Sequence, residues 1–363
     1  MYKKMIQHQI FFDFLRFSIG SESEIPDSLI EADWKELYRI AQKQCLVGIL
    51  FDGIQRLPSS NVGISRDLLL QWMAQSKMLE KTNVRLNDAA FRVSEWFRKK
   101  GFRTCILKGQ GNALLYPNGL HRTPGDIDIW VEGGDKRVIS FVRSVSPHEK
   151  ACYHHIEFPS YKGVEVEVHY RPSFLLCFWN NRKLQKYYER VKEEQFSHRV
   201  MFSEQREVAI PTVEFNLIFQ LTHIFSHLMN EGIGLRQLLD YYFVLLHADI
   251  KNVVELQRNL KHIGLWKFAG AIMYIMHEVF GMPASRLIVP PNEKYGKFVL
   301  NEVLEAGNFG KHDKRNRFGK SQLGHNLQRV YRDIRLIKYF PAEALSEPIF
   351  RVWHFFWRMK NKK

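Results

Sequence analysis

Cysteine is scarce in this chain. Cys45, Cys105, Cys152 and Cys177 are scattered with no CxxC pair, which excludes a disulfide framework or a cysteine zinc site and leaves them as reduced packing residues. Long apolar runs are also missing: nothing approaches the roughly 18 uncharged residues that a bilayer-spanning helix needs. The opening "MYKKMIQHQIFFDFLRFSIG" has a basic lead, but Asp13 and Arg16 interrupt its apolar stretch, and no small-residue cleavage site follows. The expectation is a cytoplasmic chain without a transmembrane segment. Acidic residues are in deficit, 38 against 53 Lys and Arg, for a net charge of +15. That balance favours anionic partners: nucleotide, nucleic acid or an acidic surface. Neither an internal repeat nor a low-complexity segment is present.

What the chain does have is apolar content. Across 363 residues, 45% are hydrophobic and 13% aromatic, ample for a large core, and the length alone suggests about two domains. Periodicity divides it further. Residues 28–57 carry Leu37, Ile40, Ala41 and Leu46 to Leu50 at helical spacing, and 66–100 read as one long helix or a bent pair ending at "RKKG". From "FRTCILKG" the pattern changes. A strand at 103–107 leads through a Gly-rich turn and a helix reaching Tyr116 into the loop "PNGLHRTPG", followed by the strand "DIDIWV" and a helix over 133–145. "HHIEFP" and "GVEVEVHY" are two further strands joined by "SYKG". After residue 211 helices return, with a hairpin broken at "NEGIG", a loop at "MPASRLIVPPNEKYG" and a basic aromatic helix, "EPIFRVWHFFWRMKNKK", at the end. The expected fold class is α+β: a small mixed sheet flanked by N-terminal helices and a C-terminal helical region. The expected units are 1–100, helical; 101–210, the sheet-bearing core; and 211–363, helical with a basic tail.

Two carboxylates stand one residue apart at the head of an apolar strand, Asp126 and Asp128. Strand alternation places both on one face, with Ile127, Ile129 and Val131 on the other. Alone, such a pair more often marks a solvated strand start. "GVEVEVHY" repeats the arrangement: Glu165, Glu167 and His169 share one face, and Val164, Val166 and Val168 the opposite one. If these strands are neighbours, the carboxylates converge into hard oxygen ligands of the kind Mg²⁺ or Mn²⁺ takes in phosphoryl or nucleotidyl transfer.

The order of a Lys-Gly turn and helix, a D-h-D strand and a later acidic strand resembles the nucleotidyltransferase superfamily with the DNA polymerase beta-like fold. "ILKGQGNALLYPNGLHRTPGDIDIWV" with "VEVEVHYRP" looks more closely like a bacterial branch of uncharacterised nucleotidyltransferases. "DWKELYRIAQKQ" and "HLMNEGIGLRQLLDYY" extend the resemblance over most of the chain. It implies transfer of a nucleoside monophosphate from a nucleoside triphosphate to a hydroxyl of a small molecule, RNA or protein, with pyrophosphate released. In that pattern Asp126 and Asp128 match the paired metal ligands and Glu167 the third carboxylate, while Gly109 and Gly111 match the turn that holds triphosphate oxygens, with Lys108 and Gln110 beside them as further nucleotide-binding candidates. Three departures stand out, the first being a longer spacing from Gly109 to Asp126 than in minimal members, because "YPNGLHRTPG" intervenes. Gln110 occupies the usual serine position, leaving Lys108 to substitute by charge, and Glu167 stands where relatives usually carry aspartate. A second reading is open: a nucleotidyltransferase scaffold that binds nucleotide, RNA or a partner protein without turnover.

Further residues are candidates by chemistry. Arg122, four residues before Asp126, could lay its guanidinium on a phosphate. Glu165 and His169 could support Glu167, and Arg236 could turn toward nucleotide or acceptor. His121 is a weaker candidate; one of His154 and His155 could face the site, but a hairpin edge is the expected place for them. His223 and His227 share a helical face, where bonding to Arg236 or Asp240 is the expected role; "GNFG" at 307–310 reads as a glycine turn. Residues 311–363 hold fourteen Lys and Arg against four Asp and Glu, a basic tail suited to anionic contact. Its aromatic stripe is expected to pack as core, with the cations snorkelling beyond it.

Overall fold

The structure is a computed structural model that describes residues 2–58, 63–203, 206–315 and 322–361. Three helices open the chain, α1 (Tyr2–Ile19), α2 (Trp34–Gln44) and α3 (Val47–Arg56). Asp33 caps α2 by accepting from the Glu36 amide, and the helix stops where Cys45 turns left-handed (φ 56°). α4 (Arg66–Lys99) is one continuous 34-residue helix, capped by Ser65 and closed by Arg98 and Lys99 in the last turn. Both basic side chains sit where the helix dipole is negative.

The sheet-bearing segment follows as β1 (Thr104–Leu107), α5 (Gly109–Ala113), β2 (Ile127–Val131), α6 (Gly134–Val145), β3 (His155–Tyr161) and β4 (Val164–His169). Strand order is β1-β2-β4-β3. β1 and β2 run antiparallel, β2 and β4 parallel, and β4 and β3 antiparallel. The sheet is therefore mixed and the fold α+β. Ile106, Ile127, Ile129, Val166 and Val168 pack on Leu86, Ala90, Val93 and Phe97 of α4 and on Val138 and Val142 of α6. The opposite face is buried as well: Trp130 lies 4.6 Å from Phe196 and 5.8 Å from Phe215, ring to ring. The polar face read from the alternation is thus polar only toward one end, where Asp128 and Glu167 lie opposite each other in register.

α7 (Phe178–Ser197) and the hairpin of β5 (Arg199–Ser203) and β6 (Arg206–Ala209) come next; neither is legible in the sequence, because α7 is mostly polar, with a weak apolar stripe, and the strands are short. The C-terminal helices are α8 (Val213–Asn230), α9 (Leu235–Leu246), α10 (Val253–Ile263), α11 (Trp266–Glu278), α12 (Glu293–Ala306), α13 (Gln322–Leu336) and α14 (Pro341–Lys360). The loop expected through Gly296 ends earlier, since Asn292 accepts from the Tyr295 amide and starts α12 at Glu293. A single large core joins the N-terminal helices to α8, α9 and α11. The aromatic stripe of α14 departs from expectation: Trp353, Phe355 and Phe356 are exposed. No helix among the described residues is long and apolar enough to cross a membrane.

Candidate active site

Register builds the site. Leu107, Asp128, Glu167 and Glu157 align across four strands, and the next row on that face is Cys105, Trp130, His169 and His155. Asp126 precedes β2, and one ligand atom from each of Asp126, Asp128 and Glu167 lies within 4.8 Å of the others. These carboxylates floor a cavity of about 470 Å³, a volume within the usual range for small-molecule sites.

Three carboxyl groups so close cannot all be indifferent to protons. The Asp128 charge, followed by burial, pushes the Asp126 carboxyl up to about 6. Burial acts to raise Asp128 too, but Lys108 and His169 hold it well below the usual carboxylate range. Lys108 Nζ lies 2.8 Å and His169 Nε2 2.9 Å from the same Asp128 oxygen. His169 is itself buried, which disfavours its charge, yet hydrogen bonds to Asp128 and Glu167 raise it to about 9. Burial, then the neighbouring His169, pushes His155 down to about 4.

The turn after β1 carries Lys108 into the cavity on an unusual backbone, with φ 48° and ψ −141°. That conformation strains a non-glycine residue by about 1–3 kcal/mol, strain of the kind that collects at functional sites. Gly109 follows with φ 37° and lines the cavity. Gln110 and Gly111 do not: the Gln110 amide turns away to donate to Asn87, and Gly111 packs against Ile210. α5 spans only five residues, too short to present a strong helix dipole to phosphate.

Arg122 lines the cavity with its guanidinium already engaged. Its Nε and Nη2 donate to the two Asp240 oxygens at 2.7 and 2.8 Å, and the Tyr116 hydroxyl donates to the same carboxylate at 2.7 Å. A guanidinium so engaged is a buried strut whose Nε–Nη2 edge is already filled. Glu165 is exposed and outside the cavity lining, because it lies two residues along the strand from Glu167, at the turn end. Arg236 does line the cavity, and its Nη1 donates to the carbonyls of Thr123 and Pro124 at 3.1 and 3.2 Å. It thereby anchors the loop that delivers Asp126, and its buried Nε has no hydrogen-bond partner.

The histidines are redistributed. His154 and His155 both line the cavity instead of a solvent-facing hairpin edge. His223 meets Lys108 at 3.2 Å and His227 meets Glu231 at 3.5 Å, so neither bonds Arg236 or Asp240; those two are taken up by the loop carbonyls and Arg122. His121 sits away from the cavity, clamped between Asp52 at 2.6 Å and Glu80 at 2.8 Å. In "GNFG", Asn308 accepts from Gln237 and Phe309 lines the cavity with φ 53°. The sequence reading missed Phe350, His354 and Arg358, which close the cavity from α14. Their four-residue spacing marks one helical face, but nothing in the sequence ties that face to residues more than 180 positions earlier.

Comparison with known proteins places the chain in a family. Residues 31–281 match the family model described as "Uncharacterised nucleotidyltransferase", and the chain belongs to that family. No curated protein matches it. Among solved structures, an antigenic nucleotidyltransferase-like protein from Paracoccidioides brasiliensis is similar at 15% identity, covering 49% of this chain and 86% of its own, with a TM-score of 0.30.

Proposed function

We propose that this protein transfers a nucleoside monophosphate from a nucleoside triphosphate to a hydroxyl acceptor, using Mg²⁺ or Mn²⁺ held by Asp126, Asp128 and Glu167. The observation that carries the reading is the convergence of three carboxylates from neighbouring strands on the floor of a cavity with cationic walls. The donor set fits a hard divalent cation: its charge is only partly balanced, as the upward push on Asp126 by Asp128 reveals. When bound, such ions neutralise charge that develops on the transferring phosphoryl group.

The chain's own residues position and compensate. Lys108 and His169 fix the Asp128 carboxylate from two sides. Arg236 holds the 123–124 carbonyls and so sets where Asp126 sits. Lys108, Arg236, Arg329 and Arg358 give the cavity a positive wall for triphosphate oxygens, where fixed charges act without reorganising. The basic C-terminal segment thus contributes directly to anion contact in this reading.

A second reading, nucleotide binding without turnover, is favoured by one observation: the serine position is Gln110, whose side chain leaves the cavity altogether. The experiment is thermal stability with Mg²⁺ or Mn²⁺ and each of four nucleoside triphosphates, in wild type and in Asp126→Asn, Asp128→Asn. Metal-dependent stabilisation by a triphosphate, lost in the variant, is expected. No shift with any triphosphate in a cooperatively melting chain sinks both readings as they concern nucleotide; stabilisation without pyrophosphate release across acceptors selects the second.

A further inference from the structure

Glu167 faces two sets of neighbours. On one side lie Asp126 and Asp128. On the other, its Oε2 is 3.2 Å from His155 Nδ1 and 3.3 Å from His169 Nε2. The sheet dictates this arrangement: His169 is two residues beyond Glu167 on the same face of β4, and His155 is its direct cross-strand partner on β3. One ligand atom from each of these three side chains lies within 4.8 Å of the other two. His169 is 2% exposed, and its Nδ1 lies 3.4 Å from the Arg171 carbonyl. A backbone partner on Nδ1 fixes the imidazole, the usual support for a metal-binding histidine, and Nε2, which lies 2.9 Å from Asp128 Oδ1 without an ion, would exchange that hydrogen bond for the metal while Lys108 keeps its hold on Asp128.

We propose that His155, Glu167 and His169 form a second, mixed nitrogen–oxygen site for a divalent first-row transition ion, with Glu167 shared between this site and the carboxylate triad. Two imidazoles and one carboxylate suit Mn²⁺, Fe²⁺, Co²⁺ or Zn²⁺ better than Mg²⁺, which takes oxygen ligands almost exclusively. A shared carboxylate also suits ions about 3.5–4 Å apart. Loading the site displaces protons from the imidazole nitrogens to solvent. The inference deepens the nucleotidyltransferase reading, in that the second ion would border the cavity floor, but it stands on its own ligand geometry.

The test uses the full chain, stripped with chelator and titrated with Mn²⁺ alone. Pulsed EPR of wild type should show histidine ¹⁴N coupling to the bound ion, with two ions per chain by equilibrium dialysis. His155→Ala and His169→Ala should each reduce this to one ion and abolish the coupling, whereas Asp126→Asn should keep it. Absence of nitrogen coupling in wild type at saturating Mn²⁺ overturns the proposal with no need for any variant to fold. Coupling unchanged in both histidine variants overturns the assigned ligands. The two ideas fail separately: nitrogen-coupled Mn²⁺ in a chain that no triphosphate stabilises removes the nucleotidyltransferase reading only, and triphosphate stabilisation without nitrogen coupling removes only the mixed site.

Discussion

Asp240 and Arg122 illustrate how one pairing decides a residue's role. Both are buried, and the bidentate contact between them occupies the Nε–Nη2 edge of the guanidinium. Asp240→Leu should therefore cost about 3–5 kcal/mol in urea unfolding, because it strands a buried cation. Adding Arg122→Met should recover most of that loss; a double variant no more stable than the single would mean that the pair does not account for the effect. His121 offers a pH test. Burial disfavours its charge, but hydrogen bonds to Asp52 and Glu80 raise its affinity for a proton overall. A folded value above the unfolded one adds stability fully below the unfolded value of about 6.5 and loses it as pH rises through the folded value. His121→Gln should thus destabilise more at pH 6 than at pH 9. An equal difference at both pH values would contradict the charged clamp.

At the scale of elements, close approach explains a glycine that periodicity alone does not. A Cβ at Gly48 in α3 would stand 2.2 Å from the carbonyl oxygen of His121, so α3 can touch the loop leading to Asp126 only without a side chain. Gly48→Ala should cost about 1–3 kcal/mol by overpacking, measured as a lower urea midpoint at an unchanged slope. A midpoint that did not move would show that the two backbones separate freely. Similar logic applies to Trp72 of α4, whose indole N–H donates to the Val47 carbonyl at 2.8 Å and ties the longest helix to the start of α3.

At the scale of the whole molecule, α14 closes the cavity from the far end of the chain. Glu343 docks it: Oε2 accepts from the Leu176 amide at 2.6 Å and the Cys177 amide at 3.1 Å, and burial raises the carboxyl's affinity for a proton despite these donors. Glu343→Ala leaves two backbone donors near the core without partners, at about 1–3 kcal/mol each. Hydrogen exchange should quicken across 341–360 while α8 keeps its protection. Equal protection of α14 in the variant and wild type would place the anchor elsewhere, in the stacking of Phe350 on Phe174, for example.

The sequence by itself determined the helical ends, the α+β centre, the strands bearing DID and EVEVH, and the break at "NEGIG". Each of these follows from local periodicity and turn chemistry, which a single chain displays without contacts. It also pointed to Asp126, Asp128 and Glu167, because period-two alternation and the resemblance named the same face. Only the tertiary structure decided that β2 lies beside β4 in the register that sets Asp128 opposite Glu167. The same packing turned Gln110 away from the cavity, paired Arg122 with Asp240, brought His155 against Glu167 and laid α14 over the cavity. Those outcomes depend on contacts between residues tens to hundreds of positions apart, where burial and charge pairing choose among side-chain partners that the local pattern leaves equivalent.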